Sequence, residues 1–208
     1  MIDYPDFFDL VPKILLQDPL AAFLGVSANG QFEYCYLDAV KLAGHSCPTV
    51  AAAWNMTRLA LAKLYENEIP RRGNIQVRMR GNCDLGVTGV IANVVSMITG
   101  AAAEGGFKGI GGRFTRQSLM QFGAEIPLEL RFTRLDTMRT IDIACNTAML
   151  SASPEIPGLL LLCLEDDADP AIRIRFGRLW QDRVRRLLLE HADDPEIFTV
   201  REQLPGSA

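Results

Sequence analysis

A histidine and a cysteine stand two residues apart, in the segment Gly44-His45-Ser46-Cys47-Pro48, where a helix is predicted to begin. Proline is common at the first position of a helix, because its missing N–H needs no partner there. Cys47 is therefore predicted to be the N-cap, where backbone N–H groups and the helix dipole favour a thiolate. A thiolate and an imidazole together suit Zn²⁺ or a similar divalent transition metal.

A metal site needs further ligands, and Cys83 is the predicted third one. Cys83 and Asp84 lie in a polar turn, residues 81–86, at the end of a predicted strand. Loops in such positions often carry functional residues. Asp84 would serve there as an oxygen ligand or as the hydrogen-bond partner that orients His45. The sequence thus predicts a metal site of His45, Cys47 and Cys83, with a coordination position open to water or substrate.

Two interpretations without a metal remain open at this point. In the first, Cys47 is a nucleophile and His45 its base, which would make the chain a thiol enzyme or a redox sensor. In the second, the chain is a non-catalytic subunit that assembles through the apolar segment 87–99 and its C-terminal arm. Core packing is the expected role of the other cysteines, since buried cysteine is common packing material: Cys35, Cys145 and Cys163.

The segment from Gly44 to Pro48, followed by a long helix of small residues, resembles a signature of the FmdE-like family, which is named after a component of formylmethanofuran dehydrogenase. Thr99-Gly100 and the later residues 106–109 are similar to the second motif of that family, a Thr-Gly and then a Gly-Lys-Gly segment. The similarity covers roughly residues 37–145. It implies an α+β core, a divalent metal near His45 and Cys47, and a homodimer.

Several positions depart from the family pattern. The family's cysteine and aspartate on the helix before Thr-Gly are Val90 and Asn93 here, and its cysteine after Thr-Gly is Ala101 or Ala102. The sequence also has no Cys-x-x-Cys, the pair found in the family's C-terminal zinc ribbon. The resemblance therefore implies the core domain alone, with an oxidoreductase-associated or hydrolytic role, and does not imply formylmethanofuran chemistry.

A glycine-rich stretch at residues 100–112 is the second candidate for ligand binding. It is followed or interrupted by the basic residues Lys108, Arg113 and Arg116. Glycines expose backbone N–H groups, so such a loop is able to cradle an anion. The stretch lacks the Gly-x-x-x-x-Gly-Lys-Ser/Thr pattern of a phosphate-binding loop, and a flexible connection into the next strand is the competing interpretation.

Composition and charge narrow the class of protein. The 208 residues are 49% hydrophobic, which provides a full core and excludes a disordered chain. A net charge of -4 gives no electrostatic case for nucleic acid or an anionic membrane as partner. An acidic start and five cysteines, an odd number, predict a cytoplasmic protein with reduced thiols. The acidic residues 165–169 beside an arginine-rich helix favour self-association into a homodimer.

Apolar periodicity predicts an α+β fold, because helices and antiparallel strands are interspersed without a regular βαβ repeat. An antiparallel or mixed sheet is expected to pack with a central buried helix at 87–99 and a long C-terminal helix. The other predicted elements are a hairpin turn at Asn29-Gly30, strands at 75–79, 126–132 and 138–145, and helices at 48–67 and 170–191. A single domain, 1–208, is expected, with its core at about 1–150 and a helical extension at about 155–208.

Overall fold

A computed structural model of the chain describes residues 3–203 and has the predicted α+β architecture. The strands are β1 (Ile14–Gln17), β2 (Gln31–Tyr34), β3 (Ile75–Met79), β4 (Met120–Gln121), β5 (Leu130–Arg134), β6 (Thr140–Cys145) and β7 (Phe198–Gln203). The helices are α1 (Pro19–Phe23), α2 (Tyr36–Ala43), α3 (Pro48–Tyr65), α4 (Thr88–Thr99), α5 (Ile156–Cys163) and α6 (Pro170–Arg185), which continues as a π-helical turn, Arg186–Glu190.

The main sheet is mixed and has the strand order β4-β3-β5-β6-β7. Strands β3 and β4 are parallel, whereas the other neighbours are antiparallel. Strands β1 and β2 form a separate antiparallel pair with α1 between them. Alternate residues of β3 are buried, as the sequence periodicity predicts for a strand with one face on the core: Ile75, Val77 and Met79.

Helix α3 is the most enclosed helix and packs against both the sheet and α4. Its residues 50–57 are all buried, because small alanines let the backbone approach its neighbours on every side and Trp54 fills the remaining space. The predicted central helix, 87–99, is present as α4, but Val87 just before it is half exposed. The sequence therefore predicts both helices, and α3 carries more of the core.

Several predicted elements differ in extent or partner. The predicted hairpin turn at Asn29-Gly30 is wrong, because α1 lies between the paired strands β1 and β2. The strand predicted at 126–132 begins at Leu130, and Pro127 before it has no N–H to donate to a ladder. The predicted helical extension begins with α5, Ile156–Cys163, and Leu164 is its C-cap. The C-terminal extension, predicted as helical, also supplies β7, which pairs with β6 at the edge of the sheet. Within residues 3–203, none of the helices is both long enough and apolar enough to cross a membrane.

Candidate metal centre

The segment that carries His45 and Cys47 is the tight connection between α2 and α3. Gly44 ends α2 in the left-handed conformation, with φ +75, and its N–H donates to the carbonyl of Val40. Cys47 is extended and is the N-cap of α3, as the sequence predicts. Its Sγ accepts a hydrogen bond from the backbone N–H of Val50 at 3.5 Å. The sulfur thus lies at the positive end of an 18-residue helix, which favours a negative charge on it.

The imidazole of His45 is exposed, and a backbone carbonyl fixes its orientation. Its Nδ1 lies 2.9 Å from the carbonyl oxygen of Ala43. A carbonyl oxygen only accepts, so Nδ1 carries the proton in this hydrogen bond and Nε2 of the neutral ring keeps its lone pair. This is the arrangement found around metal-binding histidines, in which one nitrogen donates to a carbonyl and the other faces the metal.

Ser46, between the two candidate ligands, anchors the connection to two other parts of the fold. Its hydroxyl lies 3.0 Å from the hydroxyl of the buried Tyr36, whose pKa is raised by burial. Its carbonyl oxygen accepts hydrogen bonds from Trp180 Nε1 at 3.0 Å and from Gln181 Nε2 at 3.2 Å. Helix α2 therefore anchors the Ser46 side chain and α6 its backbone, between His45 and Cys47.

Cys83, the predicted third ligand, is exposed in the turn between β3 and α4, next to the exposed Asp84. It lines a cavity of about 820 Å³ at the β4 edge of the sheet, together with Arg78, Glu104 and Gln121 among others. Within residues 3–203, no three histidine, cysteine, aspartate or glutamate side chains converge closely enough to hold a metal ion. His45, Cys47 and Cys83 thus do not form a preassembled three-ligand site in this structure.

The remaining cysteines differ from Cys47 in their surroundings, and all five are free thiols. Cys35 is also the N-cap of a helix, α2, but its thiol lies 3.4 Å from the carboxylate of Asp38. Cys145 is partly buried at the end of β6, where burial and the nearby Glu129 raise the pKa of its thiol to about 12. Cys47 therefore differs from the other cysteines in combining two features. It is the N-cap of α3, and a histidine lies two residues before it in the sequence.

A buried cluster that the sequence patterns do not indicate joins three distant segments. Asp18, the N-cap of α1, is 4% exposed and receives hydrogen bonds from Arg72 Nη1 at 2.7 Å and Arg116 Nη2 at 2.6 Å. The sequence groups Arg116 with Lys108 and Arg113 as anion ligands; those two side chains are exposed, whereas Arg116 turns inward. Asp18 before a proline is the sequence signature of an N-cap. Its partners Arg72 and Arg116 lie 54 and 98 residues away in the chain, so no local pattern predicts these ion pairs.

No protein-family model matches the chain, and no curated protein matches it in sequence. The likeness to the FmdE-like family therefore depends on the motifs themselves. The first motif forms the connection from α2 to α3, and Thr99-Gly100 ends α4, with Gly100 left-handed at φ +73. Gly100 lies beside the guanidinium of Arg116, so the second motif contributes to the buried cluster.

Proposed function

We propose that the chain binds Zn²⁺ or a similar divalent transition metal through Nε2 of His45 and the thiolate of Cys47, as a protein similar to the FmdE-like family. The observation that carries this proposal is that a hydrogen bond orients each of the two donor side chains for metal binding. The N–H of Val50 and the α3 dipole stabilise negative charge on Cys47. The Ala43 carbonyl selects the His45 tautomer whose free nitrogen is Nε2.

The chemistry of this donor set fits a borderline metal. Sulfur and imidazole nitrogen are the ligands that zinc takes most often, and catalytic zinc sites keep a position for water or substrate. When bound, such a metal polarises a carbonyl group or lowers the pKa of a bound water. The part played by the chain is to hold the two donors: Ser46 is tied to Trp180 and to Tyr36, so neither donor has to be ordered when the metal arrives.

Cobalt substitution tests the proposal, because a cysteine-bound Co²⁺ has a sulfur-to-metal charge-transfer band in the near ultraviolet. The wild-type chain is expected to bind Co²⁺ stoichiometrically with this band. Cys47→Ser removes the band, and His45→Ala weakens binding. Cys35→Ser is the matched control, since it removes another helix N-cap thiol and is expected to leave the band unchanged. Absence of the band in wild type, or its persistence in Cys47→Ser, would overturn the proposal.

Thiol chemistry without a metal is the second candidate, and the N-cap position of Cys47 supports it as well. Cys47 would be the nucleophile and His45 the base that takes its proton. In metal-free protein, iodoacetamide is expected to label Cys47 faster than Cys35 at neutral pH, because the Cys35 thiol donates a hydrogen bond to the Asp38 carboxylate, whereas the Cys47 sulfur accepts one from the backbone. Labelling of the two cysteines at equal rates would argue against this function.

We also propose that the chain forms a homodimer through α5 and α6. Five apolar side chains of α5, its C-cap and α6 are exposed: Leu160, Leu161, Leu162, Leu164 and Ile174. So many exposed apolar side chains in one region often mark an interaction surface. The acidic residues 165–169 join these helices, and the exposed Arg173 and Arg175 follow them on α6. In a two-fold dimer each acidic turn is able to face the basic helix of the other copy.

Light scattering tests this assembly. Leu161 is 69% exposed, so Leu161→Glu should not disturb the monomer but should place a charge in the apolar contact. The expected result is a dimer for wild type and a monomer for the variant. Leu10→Glu is the control, because Leu10 is 70% exposed and lies in a 3-10 helix at the other end of the chain. A monomeric wild type, or equal mass for both variants, would contradict the proposed interface.

A further inference from the structure

The buried cluster of Asp18, Arg72 and Arg116 carries more positive than negative charge. Asp18 is the carboxylate that both guanidiniums contact, so its single charge is shared between two cations. The Arg116 side chain is only 9% exposed. A buried charge without a full counter-charge is costly, because the interior solvates it poorly. The cluster would therefore be stabilised by an additional anion.

The two arginines differ in how far their donors are used. Arg72 donates through Nε to the carbonyl of Ile98 and through Nη2 to that of Met97, besides its bond to Asp18, and so closes the end of α4. Arg116 donates through Nη2 to Asp18, but its buried Nη1 has no hydrogen-bond partner within residues 3–203. Burial lowers the pKa of Arg116; Asp18 opposes this effect and Arg72 adds to it.

Two glycines make room for the unpaired nitrogen. A Cβ on Gly73 would overlap Arg116 Nη1, and a Cβ on Gly100 would lie 2.9 Å from it. Both glycines are also left-handed, with φ of +77 and +73. Any side chain at position 73 would thus displace the Arg116 guanidinium. Gly73 therefore has two roles: it adopts the left-handed conformation of the turn, and it leaves space for Arg116.

A cavity of about 250 Å³ adjoins the Arg116 side chain. Its lining includes Arg116 and Gly73 together with Arg71, Arg72 and Asn74. Arg71 is the exposed arginine of this lining and adds a third positive charge.

Asp136 also lines the cavity, but its carboxylate is held by Arg134 through bonds of 2.7 and 3.1 Å, and this pairing lowers its pKa. Arg134 also holds Glu68, so the negative charge of Asp136 is only partly offset. The cavity lining nevertheless has three arginines against this one carboxylate, so its net charge is positive.

We propose that this cavity binds a small oxyanion, a phosphate group or a carboxylate, with Arg116 as the buried cation and Arg71 as the exposed donor. Planar guanidiniums match both anions and often bind them through two parallel hydrogen bonds. The cavity is smaller than typical pockets for drug-sized ligands, which favours a small anion or the anionic end of a larger molecule. This site involves neither His45 nor Cys47, so it is independent of the proposed metal centre.

Calorimetry on the full chain at constant ionic strength tests the proposal, with inorganic phosphate, glycerol phosphate and acetate as separate probes. Saturable binding of phosphate or of acetate is expected in wild type. Arg71→Gln should weaken it about tenfold, the loss expected for one charged hydrogen bond. Arg80→Gln is the control, because it removes one exposed arginine charge outside the cavity lining and should leave the affinity unchanged.

The probes also distinguish the source of the anion. Tighter binding of glycerol phosphate than of inorganic phosphate identifies the anionic end of a larger molecule, the reverse order identifies free phosphate, and preference for acetate identifies a carboxylate. Because Arg116→Gln is able to disturb folding, Arg71→Gln and Arg80→Gln decide the result. Absence of saturable binding by all three probes, or equal affinity in Arg71→Gln and Arg80→Gln, would overturn the proposal.

Discussion

The indole N–H of Trp180 donates a hydrogen bond of 3.0 Å to the carbonyl oxygen of Ser46, a residue 134 positions earlier in the chain. Trp180 belongs to α6, whereas Ser46 separates the two candidate ligands His45 and Cys47. Helix α6 therefore holds the connection between α2 and α3 through this hydrogen bond. This contact links the C-terminal part of the chain to the proposed metal centre.

Trp180→Phe is expected to weaken Co²⁺ binding as well as to lower stability. The phenyl ring keeps the contact with Phe176 but loses the hydrogen bond, which contributes about 1 kcal/mol to the free energy of unfolding. Without the indole N–H, the Ser46 carbonyl keeps only the longer hydrogen bond from Gln181 Nε2, so the connection is held less firmly before the metal binds. Denaturant unfolding and Co²⁺ titration measure the two effects.

Trp54→Phe is the matched control for Trp180→Phe. Trp54 is fully buried in α3, and its Nε1 has no hydrogen-bond partner in the described part of the chain. This substitution should lower the free energy of unfolding through lost packing, including part of the contact with Tyr36. It leaves the hydrogen bonds to Ser46 in place, so Co²⁺ affinity should change less than in Trp180→Phe. Equal Co²⁺ affinity in wild type and Trp180→Phe would show that α6 does not position the ligands.

Gly73→Ala is expected to destabilise the chain far more than Gly25→Ala. Both glycines are left-handed, with φ of +77 and +73, so both substitutions carry the same backbone cost of about 1–2 kcal/mol. A Cβ at position 25 has no neighbour within 4 Å in the described structure, whereas a Cβ at position 73 overlaps Arg116 Nη1. Denaturant unfolding gives the loss in free energy for each variant, and the excess loss in Gly73→Ala is the cost of displacing the Arg116 guanidinium. Equal losses would mean that Arg116 moves aside without cost.

Alkylation of Cys145 is expected to require strongly alkaline solution in the folded chain. Burial and the Glu129 carboxylate raise the pKa of its thiol to about 12, so very little reactive thiolate is present at neutral pH. Its labelling rate should rise as the pH approaches that value, while the exposed Cys83 is labelled first. Mass spectrometry of labelled peptides at a series of pH values follows both residues.

Glu129→Gln separates the two causes of the raised Cys145 pKa. Removal of the negative charge lowers the pKa and should speed labelling at a given pH, but burial is the larger cause and keeps Cys145 slower than Cys83. Glu125→Gln is the control, since Glu125 is an exposed carboxylate. Rapid labelling of Cys145 at neutral pH in wild type would contradict the burial seen in the fold.

Local sequence rules predict much of the fold, and in the candidate site they predict the position of Cys47 at the start of α3. The proline at position 48 places the start of α3 and makes Cys47 its N-cap, and alternation places β3, because each feature depends on neighbours in the sequence. Pairing of β7 with β6 and the burial of Arg116 against Asp18 depend on residues far apart in the chain. No local pattern specifies such contacts, since only tertiary packing brings the partners together.

The prediction of Cys83 as third ligand also depends on contacts that the sequence does not specify. A polar turn at the end of a strand favours a functional role for Cys83, but it does not specify which other turns lie nearby. The structure places Cys83 at the β4 side of the sheet, in a cavity with Arg78 and Gln121. Which loops meet at one end of a sheet depends on strand order, and spacing along the chain does not predict the order β4-β3-β5-β6-β7.

Asp18→Asn is expected to lower the free energy of unfolding by about 3–5 kcal/mol, the loss typical when one partner of a buried ion pair is removed. Asparagine caps helices as well as aspartate does, so its side-chain oxygen is still able to accept the N–H of Leu20. The loss therefore comes from the charge that Arg72 and Arg116 share. The double variant Asp18→Asn with Arg116→Gln removes one positive charge along with the negative one, and it should be less destabilised than the sum of the single variants. Denaturant unfolding of all four chains measures this coupling, and additive losses would contradict a shared counter-charge.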